Sequence, residues 1–233
     1  IKIPTPELYQ PGTVLDNISN KVPQLNNNQK AIALGVILSN QIFIENKISN
    51  VPLNFDSSYI QRIAEELEAK TGLKTVVGDH ANSAGVGEVW IGAGKNYRDL
   101  ISVRIKTGIS GAIILNQKLF TGRLGTAGKL GLITLNPEGH SCNSGNKGSF
   151  EQHCSEIAIK RHTGKTFAEW GALAEQNDAT AIKFWQDYGA LLGAALTTLI
   201  YIFNPEVVII GGDVCASAKF FLPVAQKEEF RSG

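Results

Sequence analysis

The sequence predicts an α/β protein, and three observations carry that prediction. Apolar segments with strand character alternate along the chain with segments of helical periodicity. Two strand-like segments flank a glycine-containing turn, Gly108-Ile109-Ser110-Gly111. A fully apolar run, Val207–Ile210, leads straight into Gly211-Gly212, a strand-to-glycine turn of the kind that lets a backbone approach a ligand closely.

Taken in order, Ala31–Val36 reads as a buried strand and Asp56–Thr71 as an amphipathic helix, with Ile60, Ile63 and Leu67 at helical spacing and Gly72 as its stop. Thr75–Val77 is a short strand. Apolar and polar residues alternate over Leu100–Ile105, and Ala112–Leu115 returns as the second strand of a hairpin. Pro137–Gly148, dominated by Gly and Asn, is a loop. Ala181–Phe203 is a long helix that carries Trp185, Leu192, Leu196 and Leu199 toward a core and is halted by Asn204-Pro205.

The chain has 233 residues, 43% of them hydrophobic and 18% charged, enough for one large or two small domains. Its 22 basic and 21 acidic residues nearly cancel, and no basic block is present, which argues against nucleic-acid binding. No apolar stretch approaches the ~20 residues of a membrane span, and Ile1-Lys2-Ile3-Pro4 is not a signal peptide, so no membrane insertion is expected. Cys142, Cys154 and Cys215, odd in number and widely spaced, fit a reducing compartment, cytoplasm or an organelle matrix. The lack of any Met points to a fragment, a processed form or an incomplete sequence.

The segments Gly-Thr-Ala-Gly-Lys-Leu-Gly-Leu (Gly125–Leu132) and Cys-Asn-Ser-Gly-Asn-Lys-Gly-Ser-Phe-Glu (Cys142–Glu151) resemble the signature of the ROK family of sugar kinases and sugar-responsive repressors. Asp79-His80-Ala81-Asn82 through Gly87-Glu88 is similar to that family's catalytic segment, and Phe203–Gly212 to its adenine-side strand and turn. With Gly131–Pro137, the Cys142–Ser149 stretch looks closest to the cyanobacterial-type glucokinase branch. The resemblance implies an actin-like, ribonuclease-H-like two-lobed α/β fold, truncated at both ends. The smaller lobe then falls at 1–96 and the larger at 97–233. The family's opening Asp-x-Gly-Gly-Thr turn and its last helices are absent from the sequence.

A sugar kinase needs a carboxylate to accept the proton of the attacking hydroxyl, and the family supplies it as the Asp of Asn-Asp-x-Asn. Here His80 occupies that position and Asp79 the Asn before it, so no catalytic residue is assigned. In a strand or its immediate turn, a shift of one residue turns a side chain to the other side. The resemblance gives sugar binding to Asn54, Asn82 and Glu151, each of which also reads as an ordinary loop hydrogen-bonder. Lys129 replaces the family's Glu in that pocket. The nucleotide side falls to Thr107, Gly108, Gly211 and Gly212, in a phosphate loop that has become Lys106-Thr107-Gly108-Ile109-Ser110-Gly111. The family's Gly-x-Pro-Gly loop has become Ile37-Leu38-Ser39-Asn40.

No metal site is expected. Of the family's one His and three Cys zinc ligands only Cys142 remains, with Leu132, Ser144 and Ser149 in the other places, and neutral hydroxyls are poor zinc ligands. His140, His153 and Cys154 lie nearby at no familiar ligand spacing.

These departures, taken together, lead to the first expectation, a degenerate glucokinase-like protein without catalysis, serving as a structural or interaction subunit or as a sensor of a glucose-like ligand. An ATP-dependent glucokinase acting on the 6-hydroxyl of glucose, with ATP and Mg, is the alternative. The effector domain of a sugar-responsive repressor is a second alternative, with no recognition helix in the sequence to support it. The resemblance also implies a homodimer or a subunit of a larger assembly.

Overall fold

The computed structural model describes residues 11–25, 31–38, 41–44, 47–50, 57–123, 125–142 and 144–230. It divides into two units, Ile1–Ser83 with Gly122–Thr126 and Ala84–Thr121 with Ala127–Gly233.

In the first unit, α1 (Pro11–Lys21) runs into a single 3-10 turn, Val22–Leu25, before β1 (Ala33–Leu38) and the antiparallel pair β2 (Gln41–Ile44) and β3 (Lys47–Asn50). α2 (Ser57–Thr71) and β4 (Lys74–Asp79) follow. β1 and β4 are parallel, with Ala33 opposite Lys74 and Leu38 opposite Asp79. Strand alternation sends Leu34, Val36 and Val77 to one face, where they meet Leu15 of α1 and Ile63 and Leu67 of α2. The other face carries Ile37 and Val76, 60% and 65% exposed. The segment read as a buried strand is therefore covered on one face among the described residues, because the two helices pack on that face.

The helix expected at Asp56–Thr71 is present from Ser57, buries Ile63 and Leu67, and closes with the Gly72 N–H donating to the Glu68 carbonyl at 2.8 Å. β4 is longer than the expected Thr75–Val77. α3 (His80–Trp90) begins on the residue after it, where the sequence had suggested only a strand and its turn.

The second unit is built on a four-stranded sheet of β5 (Leu100–Ile105), β6 (Ile109–Leu115), β7 (Lys118–Leu119) and β8 (Val207–Gly211) in the order β7-β6-β5-β8. β5 and β6 form the expected hairpin, but its turn is Lys106–Gly108, and Gly111 lies within β6 opposite Val103. Glycine is needed at 111 for packing rather than turning, since a Cβ there would run into the Leu130 side chain. β8 is parallel to β5, so the C-terminal ends of the two strands lie side by side.

Ile101, Val103 and Ile105 project from one face of this sheet onto a helical layer made of α4 (Phe150–Cys154), α5 (Glu156–Thr163), α6 (Phe167–Glu175), α7 (Ala179–Phe203) and α8 (Ala218–Phe230). The predicted α7 is present and two residues longer at its start. Asp178 caps it by accepting from the Ala181 N–H at 2.8 Å, and Asn204, in the left-handed region at φ 43°, ends it as expected. Trp185, Leu192, Leu196 and Leu199 are buried, each contributing about 1.5–3 kcal/mol by the usual transfer scale. Around Trp185 pack Phe167, Phe184, Tyr188 and Phe221, while Trp170 stacks on Phe184 at 4.4 Å. The Tyr188 hydroxyl donates to the Cys154 carbonyl at 3.0 Å, which satisfies the one polar atom of that ring.

Candidate functional site

The loop read at Pro137–Gly148 contains no helix or strand among its described residues and is closed by hydrogen bonds. Leu135 N–H and Asn136 N–H both donate to the Gly148 carbonyl, at 2.8 and 3.1 Å, and Gly148 N–H donates to the His140 carbonyl at 2.7 Å. The Asn146 carboxamide nitrogen donates to the Leu132 carbonyl at 3.2 Å and to Thr134 Oγ1 at 2.6 Å, tying the loop back to its own entrance. Gly148 has φ +55°, and a Cβ there would overlap the Asn136 carbonyl oxygen.

This geometry does not fit zinc. Leu132 offers no donor side chain, Ser149 Oγ accepts from the Gln152 N–H as the cap of α4, and Ser144 Oγ accepts from the Asn146 N–H at 3.4 Å. No group of three or more His, Cys, Asp or Glu able to hold a metal occurs among the described residues. His140 and His162 sit edge to face with centroids 5.5 Å apart, and His153 lies close enough for its imidazole to feel both and Arg161. Burial, then the charges of His162, Arg161 and His140, push its imidazole below the usual histidine range, and its Nε2 is buried without a partner among the described residues.

Glu151 stands in the first turn of α4, immediately after this loop. Its Oε2 accepts from the Ile109 N–H at 2.7 Å, so the residue that the resemblance gives to sugar binding is fastened to the first residue of β6. Burial raises its carboxyl above the usual range, and the Ile109 hydrogen bond opposes part of that. Lys129, also in the second unit, is half-buried.

On the nucleotide side, the turn that holds Thr107 and Gly108 is anchored by α5. Glu156 N–H donates to the Lys106 carbonyl at 2.9 Å and Ile157 N–H to the Thr107 carbonyl at 3.3 Å. Gly211 ends β8 and Gly212 follows at φ +104° and ψ −174°, a combination open to glycine alone in practice. A Cβ on Gly212 would overlap the Ile105 carbonyl oxygen, so the Gly211-Gly212 turn lies directly against the end of β5, from which the Lys106–Gly108 turn leaves. Thr107, Gly108, Gly211 and Gly212 are thus brought together at the C-terminal ends of β5 and β8, where open α/β sheets commonly bind ligands. Lys106 Nζ and Asp213 Oδ1 face each other across the two turns at 3.3 Å.

In the first unit, Asp79 closes β4 and His80 opens α3, where it is exposed. Asp79 Oδ1 accepts from the Asn82 N–H at 2.9 Å, an N-cap arrangement that spends this carboxylate oxygen on its own helix. Asn82 is half-buried one turn along. Asn54 lies outside the described residues, as do Ser39 and Asn40 of the rewritten loop. Three features were not legible in the sequence: the Asp79 cap, the Glu151–Ile109 link and the buried Arg104 Nε without a partner among the described residues. Only the first had a signal, an Asp three residues before Asn82 at a helix start.

Two α/β units, one of them ending two adjacent strands in a pair of tight turns, define a protein of the actin-like sugar-kinase fold. The chain belongs to the ROK family, whose model matches residues 1–229. It is 28% identical over 235 residues to the glucokinase of Thermotoga maritima, covering 92% of this chain and 74% of that one. It superposes on a ROK hexokinase from Thermus thermophilus with a TM-score of 0.82 at 24% identity, over 99% of this chain and 80% of that one. A ROK family glucokinase from Streptomyces griseus, in complex with glucose and AMPPNP, matches with a TM-score of 0.73 at 26% identity, over 100% and 80% of the two chains. No described helix is long and apolar enough to cross a membrane.

Proposed function

We propose that this protein is a glucokinase-type sugar kinase that binds glucose and ATP and transfers the γ-phosphoryl group to the sugar 6-hydroxyl. The observation that carries the reading is the closeness of the two turns at Lys106–Gly108 and Gly211-Gly212, kept by glycine at 212 despite the losses elsewhere. The likeness to a glucokinase holding glucose and AMPPNP supports the same pair of ligands. Resemblance to the Thermotoga maritima glucokinase, which extends over most of the chain, supports the substrate class rather than any one residue.

In this reading Asn82, Asn54 and Glu151 hold sugar hydroxyls, and Thr107, Gly108, Gly211 and Gly212 line the nucleotide, which enters with its Mg. The 6-oxygen attacks the γ-phosphorus, the bond to the β–γ bridging oxygen breaks, ADP departs and the hydroxyl proton is released at residue 80. Phosphoryl transfer draws most of its rate from positioning and electrostatic stabilisation, so loss of the carboxylate lowers turnover without abolishing the reaction class. A homodimer is the assembly carried with this reading, and sedimentation of the chain as a lone monomer removes it.

A second reading keeps the fold and both ligands without turnover, as a sugar-sensing or structural subunit. Its specific support is at residues 79 and 80, where Asp79 caps α3 and the next position carries imidazole in place of the family's carboxylate. Calorimetric titration with glucose and ATP, with a phosphorylation assay on the same sample, separates the two. Binding of both with glucose 6-phosphate formed supports the kinase; binding without product, even at high protein concentration, supports the second reading; binding of neither removes the first.

A further inference from the structure

Arg104 on β5 and Lys106 in the turn that follows stand two residues apart at the same end of the sheet. Arg104 is flanked by Ser110 on β6 and by Gly211 on β8, its partners in the two ladders, and paired residues project to the same face. That face is covered further down, where Gly85 of α3 packs so tightly on Ala112 that a Cβ would collide with it. Above Gly211 it is open: a Cβ built there meets nothing within 4 Å. Beside that space, Arg104 Nε is buried and has no hydrogen-bond partner among the described residues. A buried donor without an acceptor is a costly arrangement that a ligand oxygen would relieve.

Of the two cations, Lys106 is paired: Asp213 Oδ1 holds its Nζ at 3.3 Å with both side chains exposed, 43% and 57%. An exposed pair of this kind is weak and readily exchanged. The turn backbone beneath Lys106 is held by α5, so the side chain can change partner without rebuilding the hairpin.

We propose that Arg104 and Lys106 form a cationic pair that takes a triphosphate chain over Gly211, Lys106 exchanging Asp213 for phosphate as the chain enters. The inference rests on the reading of these turns as the nucleotide side. The pair selects for the phosphate chain, so inorganic tripolyphosphate and ATP meet the same two side chains. Arg104, with its planar fork, fixes the chain; Lys106, as a mobile point charge, gates it against Asp213.

The test is calorimetric titration of the whole chain with MgATP and, separately, with sodium tripolyphosphate, for the wild type, Lys106→Ala, Lys106→Arg and Asp213→Asn, with circular dichroism to confirm folding. Lys106→Ala is expected to weaken both ligands by about tenfold, the scale of one charge-assisted hydrogen bond. Lys106→Arg should restore most of that, and Asp213→Asn should tighten both by removing the competitor. Arg104→Lys, which keeps the charge and loses the fork, should weaken both as well. ATP binding that is unchanged in Lys106→Ala and Asp213→Asn overturns the pair and leaves the kinase reading standing. Tripolyphosphate binding that depends on Lys106, without ATP binding, keeps the pair and removes the nucleotide. Binding of neither ligand by the wild type overturns both.

Discussion

Replacing His80 by Asp restores a carboxylate where the family carries its proton acceptor, and the structure allows the size of the effect to be bounded. His80 is the exposed first residue of α3, so the exchange opens no cavity and strains no neighbour. A carboxylate in the first helical turn interacts favourably with unsatisfied amides, by about 0.3–1 kcal/mol at an exposed site. Stability should therefore be unchanged or slightly higher, and any change in rate belongs to chemistry. A positioned general base contributes roughly 100- to 10,000-fold, or about 3–5 kcal/mol of barrier. The assay is glucose 6-phosphate formation under saturating glucose and ATP, with His80→Ala beside it. His80→Asp should raise the rate by at least about a hundredfold. His80→Ala should lower it only if imidazole takes the proton in the wild type. Asp79 Oδ1 accepts from the Asn82 amide as the cap of α3, so Asp79→Asn beside His80→Asp separates its part from that of residue 80. If His80→Asp binds both ligands and gains no rate, residue 80 is not the proton acceptor and the correspondence with the family's Asp is wrong.

Gly212→Ala forces a side chain into a glycine-only backbone region and onto the Ile105 carbonyl oxygen, and should cost about 1–3 kcal/mol or more in urea unfolding together with a loss of ATP affinity. Glu151→Gln removes a carboxyl whose folded value is raised by burial. Stability of the wild type therefore falls as pH rises from the ordinary Glu range through that raised value, so the Gln variant should be the more stable at neutral pH and the difference should vanish in acid. For His153 the sign is opposite: a depressed folded value means that the unfolded chain takes up the proton first, and stability falls as pH drops below the ordinary histidine range. His153→Gln should flatten the thermal stability profile between about pH 7 and pH 5, and an unchanged slope would show that His153 does not carry a lowered value in the folded chain.

Where apolar periodicity was strong, the sequence and the fold agree. α7 was legible because Trp185, Leu192, Leu196 and Leu199 repeat at helical spacing and all four are buried. The β5–β6 hairpin was legible, but its turn was displaced because glycine serves two ends: Gly108 turns the chain, while Gly111 makes room for Leu130 inside a strand. α3 was missed because its small residues, Gly85 and Gly87 among them, suggest loop or strand; Gly85 is there so that the helix can lie against Ala112. α6 had a readable signal, the reciprocal Thr166–Glu169 capping box, whereas α8 carries Pro223 within it and gave none.

The site was legible as a set of positions and not as a set of roles, and the difference is informative. In the second unit the hairpin turn, Glu151 and Gly212 are fastened to strands and helices through backbone groups: Glu156 and Ile157 hold the turn, Ile109 holds Glu151, and Ile105 leaves no room for a Cβ at 212. Residues so held serve the fold as well as any ligand. His80, Lys106 and Arg104 are different. His80 and Lys106 have exposed or partly exposed side chains that the fold does not prescribe, and Arg104 leaves a buried donor unanswered, which folding alone would select against. Substitution at these three residues therefore perturbs the fold least, and it is there, rather than at the glycines and Glu151, that a change in binding or rate reads on chemistry rather than on shape.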